Sequence, residues 1–353
     1  MELLILDTNL ISIAVLDIFE SLIWTDRYSA YGDFEIYTKV TDETLNILQP
    51  DYYIYDFESD HVMVIEDLEI QFDIEEGDRL IIKGRSAESI LDRRIVWGTT
   101  VLTGDLQDGI QQLLDENVIS PTIPERTIPN IIFEASIDPI VTALTVDTQF
   151  TRTNLYESIQ KLCETNGLGF KITMNDTLDG FIFKLYSGVD RSYAQTDNSY
   201  VVFSKNFENL VSSNYKELRS LSKTLTVVAG EGEGEDRITK IVGSGTGISR
   251  RELYTDARDL SQTVDGILMS EPDYLTHLEQ RGLEKLNESA LEKSFEGNVD
   301  ITRMFKYRED FFIGDIVQIV GDYGVEGRAQ IIEMIRSQSL DGMSTYPTFN
   351  MID

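Results

Sequence analysis

Cysteine is almost missing from this chain: Cys163 is the only one in 353 residues. One thiol excludes an internal disulfide, and a Cys-built zinc or iron–sulfur centre needs several. Histidine is nearly as scarce, with His61 and His277 alone. They form neither a His-x-x-x-His nor a His-Glu-x-x-His pair, so a zinc hydrolase is not expected. No Gly-x-Ser-x-Gly elbow supplies a triad serine. Positive charge is also short, with 30 Lys+Arg against 62 Asp+Glu and a net charge of −32. That balance argues against binding DNA by neutralising its phosphates. No apolar run reaches the roughly 18 residues of a membrane-spanning helix, and Met1 to Leu6 lacks the basic start of a signal peptide. The expectation is a chain made in a cytoplasm and not inserted in a membrane.

What remains is a chain that can fold. At 41% hydrophobic and 10% aromatic it is no acidic disordered tail, and its length allows roughly two or three domains. The first hundred residues alternate. Phe34, Ile36 and Val40 fall on one face and Asp33, Glu35 and Lys39 on the other; Leu68, Ile70, Phe72 and Ile74 alternate with Glu69, Gln71 and Asp73. A period of two with one wet face predicts antiparallel sheet or barrel. Tyr52 to Tyr55 and Arg79 to Gly84 read as further strands, with a turn at Glu75-Glu76-Gly77-Asp78. Thr41 and Ser86 are placed to cap short helices.

The middle third changes period. Asp105 opens a helix with Leu106, Ile110, Leu113 and Leu114, and Pro121, Pro124 and Pro129 mark a connector. Asn154 caps a second helix through Leu155, Ile159 and Leu162 to Gly167. A hairpin of Gly169–Thr173 and Phe181–Tyr186 follows. The last region reads as strands at Tyr200–Phe203, Leu225–Val228, Ile238–Val242, Phe311–Val320 and Arg328–Ile335, with a turn at Asp341-Gly342. A long helix between them begins near Pro272 and carries Leu275, Leu278, Leu283 and Leu286. No repeat has a clear period, although the first and last regions are compatible with two diverged copies of one barrel.

Each constellation that carries chemistry elsewhere has a plainer reading here. Gly230-Glu231-Gly232-Glu233-Gly234 would turn glutamates toward a phosphate and lacks the Lys-Ser/Thr of a phosphate loop; Gly243 to Gly247 precedes no helix. His277 lies off the leucine stripe, which predicts a surface position, and His61 reads as an edge or turn residue. Cys163 follows Ile159 by one helical turn and reads as buried core. Asp176 with Asp179, or Asp310 with Asp315, offers calcium-type oxygen ligands but matches no EF-hand spacing, so solvated turns are expected. Tyr53 and Tyr55 share one strand face and Tyr52 the other, which favours sheet packing over a sugar-stacking platform. No catalytic, cofactor-binding or metal-ligating residue is assigned.

One resemblance spans nearly the whole chain. Trp24 to Lys39 (Trp24, Arg27, Tyr28, Gly32, Phe34-Glu35-Ile36), Val62 to Glu66, Leu80 to Arg85, Ile90 to Val96, Tyr186 to Ser192, Val201 to Ser204, Val228 to Gly232 and Asp310 to Val317 occur in the order found in siphophage tail-hub, or tail-associated, proteins. The chain resembles that family, which is related in fold to the central hub of contractile baseplates. The resemblance implies an α+β, mainly β fold: a β-barrel-like hub domain at 1–98, an α+β insert domain at 99–193 and a second β-barrel-like hub domain at 194–353, with a helical insert about 252–296. It also implies a homotrimer whose six barrels continue the tail tube as a ring through which DNA passes without specific binding. The partners implied are a distal tail or tail tube protein and tip or fibre proteins. The place implied is the virion tail tip, assembled in the host cytoplasm. Longer relatives carry a hydrolase or receptor-binding extension; this chain ends at Asp353, so no enzymatic activity is expected. An acidic lumen wall that repels phosphates is the role expected for the excess carboxylates. The alternative is a receptor- or carbohydrate-binding tail protein.

Overall fold

The computed structural model describes residues 2–352 apart from 75–76, 265, 300–303, 323 and 341. The expected turn residues Glu75, Glu76 and Asp341 therefore lie outside the described residues. Strands take up 43% of the chain and helices 21%, so the fold is α+β and mainly β.

Both ends of the chain enter one 13-stranded sheet. Eleven of its strands form a continuous antiparallel path, in the order Leu210–Leu218, Glu292–Val299, Gly342–Ile352, Glu326–Ser339, Ser21–Arg27, Asp33–Lys39, Arg79–Ser86, Val62–Gln71, Tyr53–Asp56, Leu3–Leu6 and Ser12–Leu16. The remaining two, Val202–Ser204 and Ile316–Val320, join it beside Glu326–Ser339. The join between the chain's two ends is the ladder from Glu333 opposite Arg27 to Ser339 opposite Ser21. No closed barrel occurs among the described residues.

The eight strands from Leu210–Leu218 to Val62–Gln71 fall into two runs of four with one plan. The hairpin Val62–Gln71/Arg79–Ser86 has a bulge between Ile65 and Asp67, opposite Gly84 and Lys83. The hairpin Glu326–Ser339/Gly342–Ile352 has its bulge between Ile331 and Glu333, opposite Phe349 and Thr348. Outward from the bulge, Gly84 pairs with Phe34 and Phe34 with Trp24; in the other run Phe349 pairs with Phe295 and Phe295 with Tyr215. A shared bulge at a shared place is a structural signature, because it sets both local twist and register.

Each run covers its own core. Leu22, Trp24, Phe34, Ile36, Ile65 and Ile82 pack with Leu3, Ile5 and Ile54 in one; Phe203, Phe295, Phe311, Val317, Ile331 and Phe349 pack in the other. Between them the middle region forms an α+β core that it shares with Leu6, Val62, Val64 and Leu91 of the first hundred residues. Leu155–Thr165 is capped by Asn154, whose side chain accepts from Glu157 N–H at 3.1 Å, and packs beside the hairpin Gly169–Met174/Phe181–Tyr186. Three strands here escape the sequence pattern: Thr99–Asp105 pairs with Thr145–Thr151, and Ile131–Glu134 runs parallel to Phe181–Tyr186.

The late insertion differs from the expected helical segment 252–296. Among its described residues only Glu271–Glu288 is helix. Glu252–Asp256 is a strand parallel to Leu225–Ala229, and Glu292–Val299 belongs to the large sheet. Of the expected leucine stripe, Leu278 is buried and Leu275 and Leu286 pack partly on the same core, while Leu283 is exposed. This helix packs against Leu225–Ala229 and Thr239–Gly243 as well as Thr145–Thr151, so its buried set is Tyr274, His277, Leu278, Gly282 and Glu284.

Candidate functional site: a buried polar junction and the faces of the sheet

Where the two sheet runs and the middle region meet, the core turns polar. Arg336 projects inward from Glu326–Ser339 and donates from Nη1 to Asp56 Oδ2 at 2.7 Å, while its Nη2 lies 3.8 Å from Asp26 Oδ2. Its guanidinium sits 5.7 Å from the Trp24 ring centroid, and the Trp24 indole N–H donates to Asp26 at 2.8 Å. The Ser59 hydroxyl donates to Asp26 at 3.0 Å, and the His61 backbone N–H donates to Ser59 Oγ at 3.0 Å. Arg336, Asp26 and Asp56 are all buried. Burial disfavours the Arg336 charge, yet the two carboxylates outweigh it and raise its pKa.

A second cluster joins the first run to the middle region. His61 Nδ1 lies 3.0 Å from Glu88 Oε1, which also accepts the Ile172 N–H. Burial opposes both charges, but the pair sustains them: the His61 pKa is raised and the Glu88 pKa lowered. Asp60 accepts from Lys171 at 2.6 Å and from Arg308 at 2.9 Å. Burial would lift the Asp60 carboxyl, and these two cations hold it below the usual range instead. On the far side Asp315 accepts Arg191 Nε at 2.7 Å and the Val189 N–H at 2.8 Å. A cavity of about 200 Å³ lies among Asp60, His61, Lys171, Tyr186, Tyr307 and Asp315. Each of these charged walls has an ionic partner, Lys171 with Asp60, His61 with Glu88 and Asp315 with Arg191, so the junction clamps three regions together.

His61 and Glu88 define a pH signature. The His61 contribution is fully present below the unfolded value of 6.5 and is lost as pH rises through the raised folded value. The Glu88 contribution is present above its unfolded value of 4.5 and is lost as pH falls through the lowered folded one. The stability gap between wild type and Glu88→Gln should therefore be widest between about pH 4.5 and 6.5 and narrow toward pH 8; urea melts across that range measure it, and a flat gap would contradict the pairing.

The residues singled out by sequence fall as follows. His61 lies in the connection before Val62–Gln71, as a turn residue would, but it is buried there because Glu88 gives its ring a partner inside. His277 is buried, not on the surface: the helix is covered on two sides, and Nε2 lies 2.8 Å from Asp147 Oδ1. Cys163 is fully buried, which raises its thiol pKa. Asp179 accepts Asn175 and Thr177 within its own turn, and Asp310 accepts the Lys306 N–H. Among the described residues no three His, Cys, Asp or Glu gather as metal ligands. The Gly230 loop is held by Tyr274, whose hydroxyl oxygen accepts the Glu231 N–H at 2.7 Å. Tyr53 packs on Phe181 and Tyr52 faces the other core, as alternation requires. Arg336, Asp26, Asp56 and Glu88 escape sequence reasoning, since nothing separates them from the other charged residues before the fold is known.

The face of the sheet away from the core is charged but interleaved. Lys83 meets Glu35 at 3.2 Å, Arg85 meets Glu66 at 2.7 Å and Arg27 meets Glu333 at 2.7 Å. Apolar side chains are nevertheless left outside. Ile70, Phe72 and Ile74, expected on a dry face, are 53%, 75% and 88% exposed, because the hairpin there reaches beyond the core that its other half covers. Exposed apolar stripes of this kind mark contact surfaces.

The chain is thus mainly β, with a polar cluster engaged internally and apolar side chains left on its surface. The chain is a member of the Siphovirus ReqiPepy6 Gp37-like protein family, which matches residues 2–349. Comparison with curated protein sequences gives no match. Solved structures give the fold. The tail protein from Neisseria meningitidis MC58 is 10% identical with a TM-score of 0.58, over 99% of this chain and 96% of that one. Prophage tail protein gp18 from Listeria monocytogenes EGD-e is 14% identical with a TM-score of 0.56, over 99% and 94%. A chain of the Francisella PdpA–VgrG complex is 8% identical with a TM-score of 0.51, over all of this chain and 57% of that one.

Proposed function

We propose that this chain is the hub at the distal end of a phage tail, a homotrimer that continues the tail tube as a ring, passes DNA and attaches tip proteins. The observation that carries the reading is the pair of four-stranded runs with one plan joined edge to edge in a tail-family chain. Two like units per subunit let three subunits present sixfold-like contacts to a hexameric tube. In this reading residues 1–98 and 194–353 are the two barrel-like hub domains, and 99–193 lie outside the ring. The net charge of −32 supports a DNA-repelling wall. Because the basic groups on the outer sheet face are interleaved with acids, that repulsion would come from net excess and not from one acidic stripe. No enzymatic step is assigned.

The carbohydrate-binding alternative loses its main support, since Tyr53 and Tyr55 are spent on packing. Negative-stain electron microscopy of the full chain at high concentration tests the proposal. Top views with threefold rings and an axial hole are expected. Compact monomers at every concentration, together with glycan binding by the isolated protein, would reverse the order of the two readings.

A further inference from the structure

The eight-stranded part of the sheet leaves two edges open, and its internal plan relates them. Leu210–Leu218 ends the strand order, with no described strand on its outer side. In the other run Tyr53–Asp56 pairs only with Val62 to Val64, so Asp67 to Gln71 meet no described strand on that side. The plan places Val62–Gln71 where the second run has Glu326–Ser339, and Leu210–Leu218 where the first run has Ser21–Arg27. Within one chain those two kinds of edge already meet, as the antiparallel ladder Glu333–Ser339 against Ser21–Arg27.

We propose that the same junction forms between copies: Leu210–Leu218 of a second copy pairs antiparallel with Asp67–Gln71 of the first. This rests on the ring reading and names its seam. The shared bulge fixes the register. Asp67 corresponds to Glu333, and Tyr215 corresponds to Trp24. The observed pair Arg336 opposite Trp24 therefore becomes Ile70 opposite Tyr215 of the second copy.

Three features agree with that register. Arg336 and Trp24 point to the core, so Ile70 and Tyr215, now 53% and 38% exposed, would be buried against each other. An aliphatic–aromatic pair of this kind stabilises a sheet. One residue along, Glu69 comes opposite Lys216, opposite charges on the wet face. The directions close as well. Every neighbouring pair in the eight strands is antiparallel, so an even number presents edges that run in opposite senses. Copies rotated about an axis along the strands then meet antiparallel without any reversal. Head-to-tail addition also covers two edges that would otherwise invite irregular pairing.

Paired cysteines test the seam in the full chain, where the native Cys163 is buried. Ile70→Cys with Tyr215→Cys should form disulfide-linked trimers under mild oxidation, seen on non-reducing gels. Ile70→Cys with Asn214→Cys, whose second side chain points to the other face, should form none. Sedimentation supplies a second readout: Glu69→Lys should weaken association about tenfold and Lys216→Glu in the same chain should restore it. Trimers that form without the 70–215 link, or that link equally well at 70–214, overturn the proposed register while the ring reading stands. A chain that stays monomeric at every concentration and never cross-links overturns both.

Discussion

Replacing Arg336 with alanine is expected to lower the unfolding free energy by about 3–5 kcal/mol, the range for removing one partner of a buried ionic cluster. The reason is the state of what it leaves behind. Asp26 on Ser21–Arg27 and Asp56 on Tyr53–Asp56 are both buried, and Arg336 is the cation shared between them. Without it two buried carboxylates keep only Ser59, the Trp24 indole and the Glu58 N–H as hydrogen-bond donors. Arg336→Lys should recover only part of the loss, since one ammonium cannot reach both acids as a planar fork does. Glu58→Gln is the control: its carboxylate is 3.9 Å away and 72% exposed, so its loss should register within about 0.5 kcal/mol. Urea midpoints for the three variants decide the matter. Equal shifts for Arg336→Ala and Glu58→Gln would mean that the cluster contributes nothing.

The contrast between Arg336 and Ile70 shows what the sequence can and cannot carry. Local pattern was readable: Thr41 does cap Asp42–Ile47, with the reciprocal Thr44 bond, and Phe34/Ile36 and Tyr53/Tyr55 take the faces that alternation assigns. Alternation says that a strand has one apolar face, but not what covers it, so it assigns Ile70, Phe72 and Ile74 to a dry face although all three are exposed. Polar strands fail for the opposite reason. Thr145-Val146-Asp147-Thr148 presents too few apolar side chains to announce a strand, although tertiary pairing with Thr99–Asp105 makes it one. The junction is harder still. Arg336 and Asp56 are far apart in the chain, and among 62 acids no spacing rule singles out one. The two runs of four strands share hardly a residue at matched positions, Trp24 with Tyr215 and Gly84 with Phe349. Their kinship is held in strand order and one bulge, which is why no sequence period betrays it.

Gly188→Ala should cost about 3 kcal/mol, at the upper end of overpacking, although it adds a single methyl group. Gly188 opens the segment that leads from the middle region into the second run. A Cβ there would lie 1.7 Å from the Gly314 carbonyl oxygen and 2.0 Å from its carbon. Neither atom can move cheaply. The Gly314 N–H donates to Ile331 O at 2.8 Å, its carbonyl accepts from Gln330 at 3.1 Å, and the Gly188 N–H donates to the Tyr28 hydroxyl oxygen at 3.2 Å. Relief would require pulling 188–191 off 314–316, which breaks Val189 N–H to Asp315, Arg191 Nε to Asp315 and the Ile316 N–H to Val189 carbonyl together. Gly98 is the matching control. Nothing lies within 4 Å of a Cβ added there, so Gly98→Ala should be neutral or stabilise by about 0.4–1 kcal/mol through the unfolded chain. Thermal melts of the two variants should thus move in opposite directions, or one should stay put while the other falls. If Gly188→Ala melts with the wild type, the close approach of 188 to 314 is not a fixed contact, and the clamp between the middle region and the second run is looser than its hydrogen bonds imply.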